Sequence, residues 1–527
     1  MVVAEYHTAD VVRLSGLDKR RILEGLSDIG APSEEMGEKL IVELTPNRLD
    51  FLSLEGVVRA LRSFYGKRKP GGYRARPSSY ELIIDKSVNK MRPYTAWAVA
   101  KGLDFGGRNM EYLIQFQEKL DATIGRKVKK CGIGFYPLDK LVFPLHYTTM
   151  KPEEIVYQPL NYPHKADAKE ILEKHPKGME YGSIIEKHSR YPVFLDAKGN
   201  ILCLVPICNA KGYGEVTPQT RDVAIEVTGT DLNTVMAILD IICCSMADGG
   251  ATIYQVKMRY PGKRIVAPAL TTRKMQLDHA WIARLLGLKL PPSKIKQLLG
   301  RMDIVLTANN AMAPPYRVDV MHPVDILEDI AIAHGYNNFH PTLPDFFSMG
   351  RMNERWPRLH GVMRQMGFAE IETPILMSAQ VLEAYGPEKQ VKILNPVSEE
   401  YTTLRPALVP SLIATYMHNR VKALPQRLYE IGPVVDGGVQ KQCLVFGWMD
   451  RALAFSDIRG VLQTLAKEEQ WKFELKKEGL PLWLDPAEGG VIMMDNKWCG
   501  VIGKMKPDFL ARYHLGFPIY ICEIDIE

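Results

Sequence analysis

Two periodicities alternate in the first eighty residues. Ile22, Leu23, Leu26 and Ile29 recur at helical spacing, with Asp18 placed to cap the helix and Gly30 to end it. Leu40–Leu44 is an apolar run of strand length. Leu54, Val57, Val58, Leu61 and Tyr65 form a second helical stripe stopped by Gly66. The pattern predicts a small α/β module over residues 1–80, ending in the breaker-rich basic segment 67–79, which reads as a linker. From 81 to 262, apolar strands are predicted at Tyr94–Ala100, Tyr191–Leu195, Ile201–Ile207 and Val223–Val227. Helices fit 108–123 and 231–247, so this stretch reads as an α+β domain.

The pattern changes again over 263–342. A helix Leu277–Leu286 stops at Gly287, and Pro291-Pro292-Ser293 opens another that stops at Gly300. A strand then leads into a third helix, Val324–His334. From 343 to 527 helix and strand alternate as expected for a domain built on a largely antiparallel sheet.

A chain of 527 residues exceeds one core, and the length suggests about three to four domains. With 46% hydrophobic and 24% charged residues the composition is that of an ordinary globular protein. The net charge of +6 permits a polyanionic partner without requiring one. Basic residues do cluster, at Lys67-Arg68-Lys69 and at Arg126, Lys127, Lys129 and Lys130. On charge pattern alone each cluster reads as a solvated loop. The eight cysteines form no C-x-x-C pair, which is reduced, cytosolic usage. No secretory leader and no apolar run of about 18 residues is seen, so a soluble cytoplasmic protein is expected.

The sharpest local constellation lies in PPYRVDVMHPVDILEDIAIAHGYNNF (314–339). Asp325, Glu328 and Asp329 share one face of a helix's first turn, with Asp319 six residues earlier on the entering strand. Four converging carboxylates suit a hard cation such as Mg²⁺ or Ca²⁺. The same residues also suit a helix cap, with Asp325 and Glu328 spelling a capping box, and spacing alone favours the cap. Gly132-Ile133-Gly134 lacks the third glycine of a dinucleotide fingerprint, and no phosphate-loop, zinc or nucleophile-elbow pattern is present.

The segment P-Y-R-x-D-x-x-H-P-x-D-I-x-E-D-I-A-I-A-H-G-Y-N-N resembles the B5 module of phenylalanyl-tRNA synthetase β subunits of the archaeal/eukaryotic type. Other blocks follow in that family's order. Pro46-Asn47-Arg48-Leu49-Asp50 with Leu54-Glu55-Gly56 resembles its N-terminal module, with Leu49 in place of a proline. Tyr191-Pro192-Val193 and Val227-Thr228-Gly229-Thr230-Asp231 resemble its B3/B4 domain. Gly367-Phe368 through Pro374, Leu404 through Leu412, and Arg427 through Gly432 resemble class II motifs 1 and 2. The resemblance implies an α+β multidomain chain: an N-terminal B1-like module (1–80), a B3/B4 editing domain (81–262), a B5 domain (263–342) and a catalytically inactive class II synthetase-like domain (343–527).

It further implies Mg²⁺ at Asp319, Asp325, Glu328 and Asp329, which reverses the preference for the cap. The implied partners are an α subunit, in an α2β2 heterotetramer, and tRNA(Phe). The implied reaction joins phenylalanine to tRNA with ATP, the adenylation site lying on α. Here position 407 is alanine and motif 3 is absent, so Arg405 is expected to be a structural or interface residue and no ATP site is expected in this chain. Editing of tyrosyl-tRNA is implied for Phe194, Cys203, Glu226 and Thr228. Glu226 would accept the phenol proton and Thr228 would hold a water. The family more often has a shorter acid at 226 and serine at 203. A stand-alone hydrolase of mischarged tRNA and a non-enzymatic binding paralogue remain open alternatives. The segments Leu484-Asp485-Pro486-Ala487 and Gly503-Lys504-Met505-Lys506-Pro507 depart from the family's pattern as well.

Overall fold

A computed structural model describes residues 2–343, 348, 350, 355–383, 385 and 390–526. The chain forms two compact units, Met1–Leu343 and Pro344–Glu527. In the first, the helix Lys19–Asp28 begins where expected, because the Asp18 carboxylate accepts a hydrogen bond from the Arg21 amide at 3.0 Å. Ser53 caps the helix Leu54–Phe64 in the same way, through the Gly56 amide at 3.0 Å. These helices cover a three-stranded antiparallel sheet with Lys39–Leu44 between Val2–His7 and Ser33–Met36. The strand Val2–His7 and the helix Thr8–Ser15 are too short to show a period in the sequence.

The middle of the unit is a ten-stranded mixed sheet. At one end of it Asp222–Gly229 lies antiparallel between Tyr94–Lys101 and the edge strand Cys131–Pro137. The register sets Glu226 opposite Gly134 and Thr228 opposite Gly132. Because side chains alternate along a strand, Glu226 and Thr228 share one face while Val227 enters the core on the other. The helix Leu232–Asp248, capped by Asp231, packs on the sheet.

A second three-stranded sheet (Arg273–Gln276, Asn310–Ala313, Val305–Thr307) accompanies the helices His279–Leu286, Pro292–Arg301 and Pro323–His334. These three regions do not have separate interiors. One apolar cluster runs from Ala4 through Trp97 and Ile242 to Ala333.

The second unit is a seven-stranded sheet, antiparallel except where Ala369–Glu370 joins Gln426–Asp436. Alternation splits its core in two. Val445, Val501 and Ile521 face the helix Val409–His418. Leu444, Ile502 and Cys522 face the helices Arg355–Gln365 and Phe455–Glu469.

Candidate functional site

A cavity of about 470 Å³ opens in the first unit over the central sheet. Cys203, Glu226 and Thr228 all line it. Gly132 lines it, and Gly134, opposite Glu226 on the neighbouring strand, leaves room for that carboxyl. A Cβ at 134 would stand 2.4 Å from Glu226 Oε2, and one at 132 would stand 2.9 Å from Val128. The glycine pair that fails as a nucleotide fingerprint thus serves to keep a hollow open.

Polar groups line the hollow and are themselves little exposed. Glu226 is 4% exposed and Thr228 is 1% exposed. Tyr136 Oη lies 3.2 Å from Glu226 Oε2 and 3.0 Å from Asn209 Oδ1. Arg92, itself buried, donates from Nε to Thr228 Oγ1 at 3.2 Å and from Nη2 to the Thr228 carbonyl at 3.0 Å. The Thr228 hydroxyl in turn bonds to Glu226. With one lone pair accepting from Arg92, Thr228 retains a second that can accept from a water.

Burial pushes the Glu226 carboxyl up to about 7, against the opposing pull of Thr228, Arg92 and Tyr136. Burial also raises the Cys203 thiol far above its usual range, so it acts as a small apolar wall rather than a nucleophile. His175 lines the cavity too, but both ring nitrogens are engaged. Nδ1 accepts from the Lys177 amide at 3.2 Å, and Nε2 lies 3.1 Å from the Leu160 carbonyl oxygen.

Lys127 and Lys177 stand at the rim. The run Arg126, Lys127 and Val128 has φ of 51°, 53° and 64°, three consecutive left-handed residues, each costing about 1–2 kcal/mol. Strain of this kind is tolerated where surrounding structure enforces it, and here it shapes the edge of the hollow. Tyr136 was readable from the strand, two residues beyond Gly134 on the same face. Arg92 precedes its strand in a turn and carries no local signal.

Phe194 does not line the cavity. It stacks on Tyr147 at 4.6 Å and meets Trp97 edge-on at 5.0 Å, and Trp97 in turn stacks on Tyr136. It lies one layer beneath the site.

The acidic constellation is arranged differently from the cation site expected. Asp319 sits in an irregular turn segment, not on a strand. Arg317 donates to both Asp319 oxygens, and its Nη2 reaches Asp329 at 2.9 Å. Asp325 Oδ2 accepts the Met321 and His322 amides at 2.7 Å, closing a box with His322 as the cap. Glu328 is exposed. Among the described residues no three acidic, His or Cys side chains gather as a metal-binding group. As folded, this set does not fit a divalent cation, because a guanidinium already occupies its centre and the cap uses the third carboxylate.

Arg317 belongs to a larger buried network. Arg48 pairs with Asp50 at 2.9 Å, Arg59 pairs with Asp50 and Asp248, and the Arg59 guanidinium stacks 3.5 Å over Tyr316.

In the second unit Arg405 is 1% exposed. Its guanidinium donates to Glu430 at 2.7 Å, to Thr373 Oγ1 at 2.8 Å and to the Pro433 carbonyl at 2.9 Å. Gly432 leaves room for it, since a Cβ there would stand 2.5 Å from Nη2. These bonds tie the guanidinium into the interior of its own unit.

Family comparisons place segments of both units among aminoacyl-tRNA synthetase subunits. The chain matches the model of the phenylalanyl-tRNA synthetase β chain CLM domain over residues 351–526 and that of the tRNA synthetase B5 domain over 275–336. It is 32% identical to the phenylalanine–tRNA ligase β subunit of Archaeoglobus fulgidus, covering 100% of this chain and 98% of that one. Against the Pyrococcus furiosus β subunit it is 33% identical, covering 91% and 90% respectively. The crystal structure of an N-terminal fragment of the Pyrococcus horikoshii phenylalanyl-tRNA synthetase β subunit matches at a TM-score of 0.60 and 32% identity, over 63% of this chain and 99% of the fragment. This chain belongs to the phenylalanine–tRNA ligase β subunit family.

Proposed function

We propose that the chain works with a separate α subunit, as an α2β2 heterotetramer, to join phenylalanine to tRNA(Phe) at the expense of ATP, and that its own cavity hydrolyses tyrosyl-tRNA(Phe). The division of labour rests on Arg405, the cation an active class II domain would offer to a triphosphate. Here it is buried on Glu430, so adenylation falls to α.

An apolar phenylalanine pocket rejects tyrosine, with its extra hydroxyl, by only about 10². A second site that reads the phenol corrects the error. The observation that carries this reading is Glu226, a buried carboxyl beside Tyr136 at the floor of the hollow. The tyrosyl phenol donates to the Glu226 carboxylate, and Thr228 accepts from a water set beside the ester. That water attacks the acyl carbon. The bond to the ribose oxygen breaks, and the proton passes to that oxygen, releasing tyrosine and intact tRNA. The rim lysines Lys127 and Lys177 meet the phosphates of the acceptor end.

The magnesium implied by the family resemblance enters no step, for the reason of fit given above. Eight free thiols suit the reducing cytoplasm.

Glu226→Ala, co-expressed with the α subunit, is expected to slow deacylation of tyrosyl-tRNA(Phe) by about tenfold or more. Phenylalanyl-tRNA synthesis should be unchanged. Wild-type deacylation in this variant would sink the editing assignment.

A further inference from the structure

Asp121 lies in the last turn of the helix Asn109–Ala122 and lines the same cavity as Glu226 and Thr228. Its Oδ1 atom is buried and accepts no hydrogen bond. Buried carboxylate oxygens are rarely left so, because the lost hydration is not repaid. The cations nearest to it are committed elsewhere. Arg92 donates to Thr228 and to the Lys129 carbonyl, and Lys177, exposed at the rim, lies 3.8 Å from Glu180. The other acids that line the hollow, Glu118 and Glu180, are exposed and hydrated. Arg92, Lys177 and the Ile133 backbone all favour its charged form, yet Asp121 is the cavity-lining carboxyl that keeps one buried oxygen without a hydrogen bond.

An aminoacyl ester brings a donor for that oxygen. Its α-ammonium sits two bonds from the acyl carbon, away from the phenol that Glu226 reads. We infer that Asp121 receives the α-ammonium group of the bound aminoacyl ester, so that the cavity admits free-amino esters and rejects N-blocked ones. This rests on the tyrosyl-ester reading of the cavity. Burial holds the Asp121 carboxyl well above the usual carboxylate range, while Arg92 opposes the shift. Arrival of an ammonium ionises it and forms a charge-assisted hydrogen bond. Asp121 is a recognition group and takes no part in bond breaking.

The test uses the full chain with its α subunit and two non-hydrolysed probes, tyrosinamide and N-acetyltyrosinamide, with turnover of tyrosyl-tRNA(Phe) and N-acetyltyrosyl-tRNA(Phe) alongside. The wild type should bind tyrosinamide about tenfold or more tighter than its N-acetyl form. Asp121→Asn and Asp121→Ser should abolish that preference and raise KM for tyrosyl-tRNA about tenfold, with kcat within about threefold. Binding of the N-acetyl probe should persist, which reports an intact pocket. Equal wild-type affinity for the two probes overturns the inference, as does an equal loss of both probes in the two variants. A wild type that prefers tyrosinamide yet hydrolyses neither tRNA upholds the ammonium site and overturns the editing function instead.

Discussion

Glu226 shows how a single side chain ties stability to selectivity. In the unfolded chain its carboxyl ionises near 4.5, whereas in the fold it does so at about 7. Between those values the folded chain holds a proton that the unfolded chain has released, so folded stability falls as pH rises through this window. Glu226→Gln should flatten that slope in thermal unfolding followed from pH 4.5 to 7.5, and an unchanged slope would contradict the assignment. The same ionisation strengthens acceptance of a phenol proton. Discrimination of tyrosyl over phenylalanyl ester should therefore increase as pH passes 7, and the glutamine variant should lose that rise. At this scale three of the four expected residues were legible as neighbours around one hollow, because period-two alternation puts Glu226 and Thr228 on one face and Cys203 borders it too. Phe194 was not, because the sequence cannot say which of several stacked aromatic rings reaches the surface of a cavity.

At the scale of elements, the strand Cys131–Pro137 does its work by omission. Gly134→Ala should displace the Glu226 carboxylate and cut tyrosyl-ester hydrolysis about tenfold, while the melting temperature moves little. A variant with full activity would show that the hollow does not depend on that missing side chain. The helix Pro323–His334 carries the complementary lesson. Its acidic first turn was legible as either a cap or a cation site, and the folded arrangement is a cap, with His322 rather than Asp325 at its head. Spacing could not reveal that Arg317 lies between Asp319 and Asp329, since that depends on how the preceding turns fold back. Asp325→Ala should cost about 0.5–2 kcal/mol in denaturant unfolding. Chelator should leave the wild-type melting temperature unchanged, and a clear drop would restore a divalent cation to this helix.

At the scale of the molecule, four residue clusters were expected to be four domains, and the class of each was readable from its pattern. Their interdependence was not, because burial of a charge depends on partners distant in sequence. Arg48, Asp50, Arg59, Asp248, Arg317 and Asp329 come from three of the expected regions and share one buried network. Its electrostatics hold Asp50 down at about 2: burial opposes this, but Arg48 and Arg59 overcome it. Arg59→Met should destabilise the chain by about 3–5 kcal/mol in equilibrium unfolding, since Asp50 and Asp248 lose a partner in a dry interior. A change below about 1 kcal/mol would show that water reaches the network.

Two short Arg-x-Asp segments, Arg48 to Asp50 and Arg317 to Asp319, therefore meet in the same charged interior although most of the first unit separates them along the chain. During synthesis the amino-terminal module emerges first, so its arginine and aspartate pairs are expected to stay incompletely enclosed until the helix carrying Asp329 has left the ribosome. A nascent chain halted before that helix should stay open to protease across its first eighty residues, and one halted just beyond it should close.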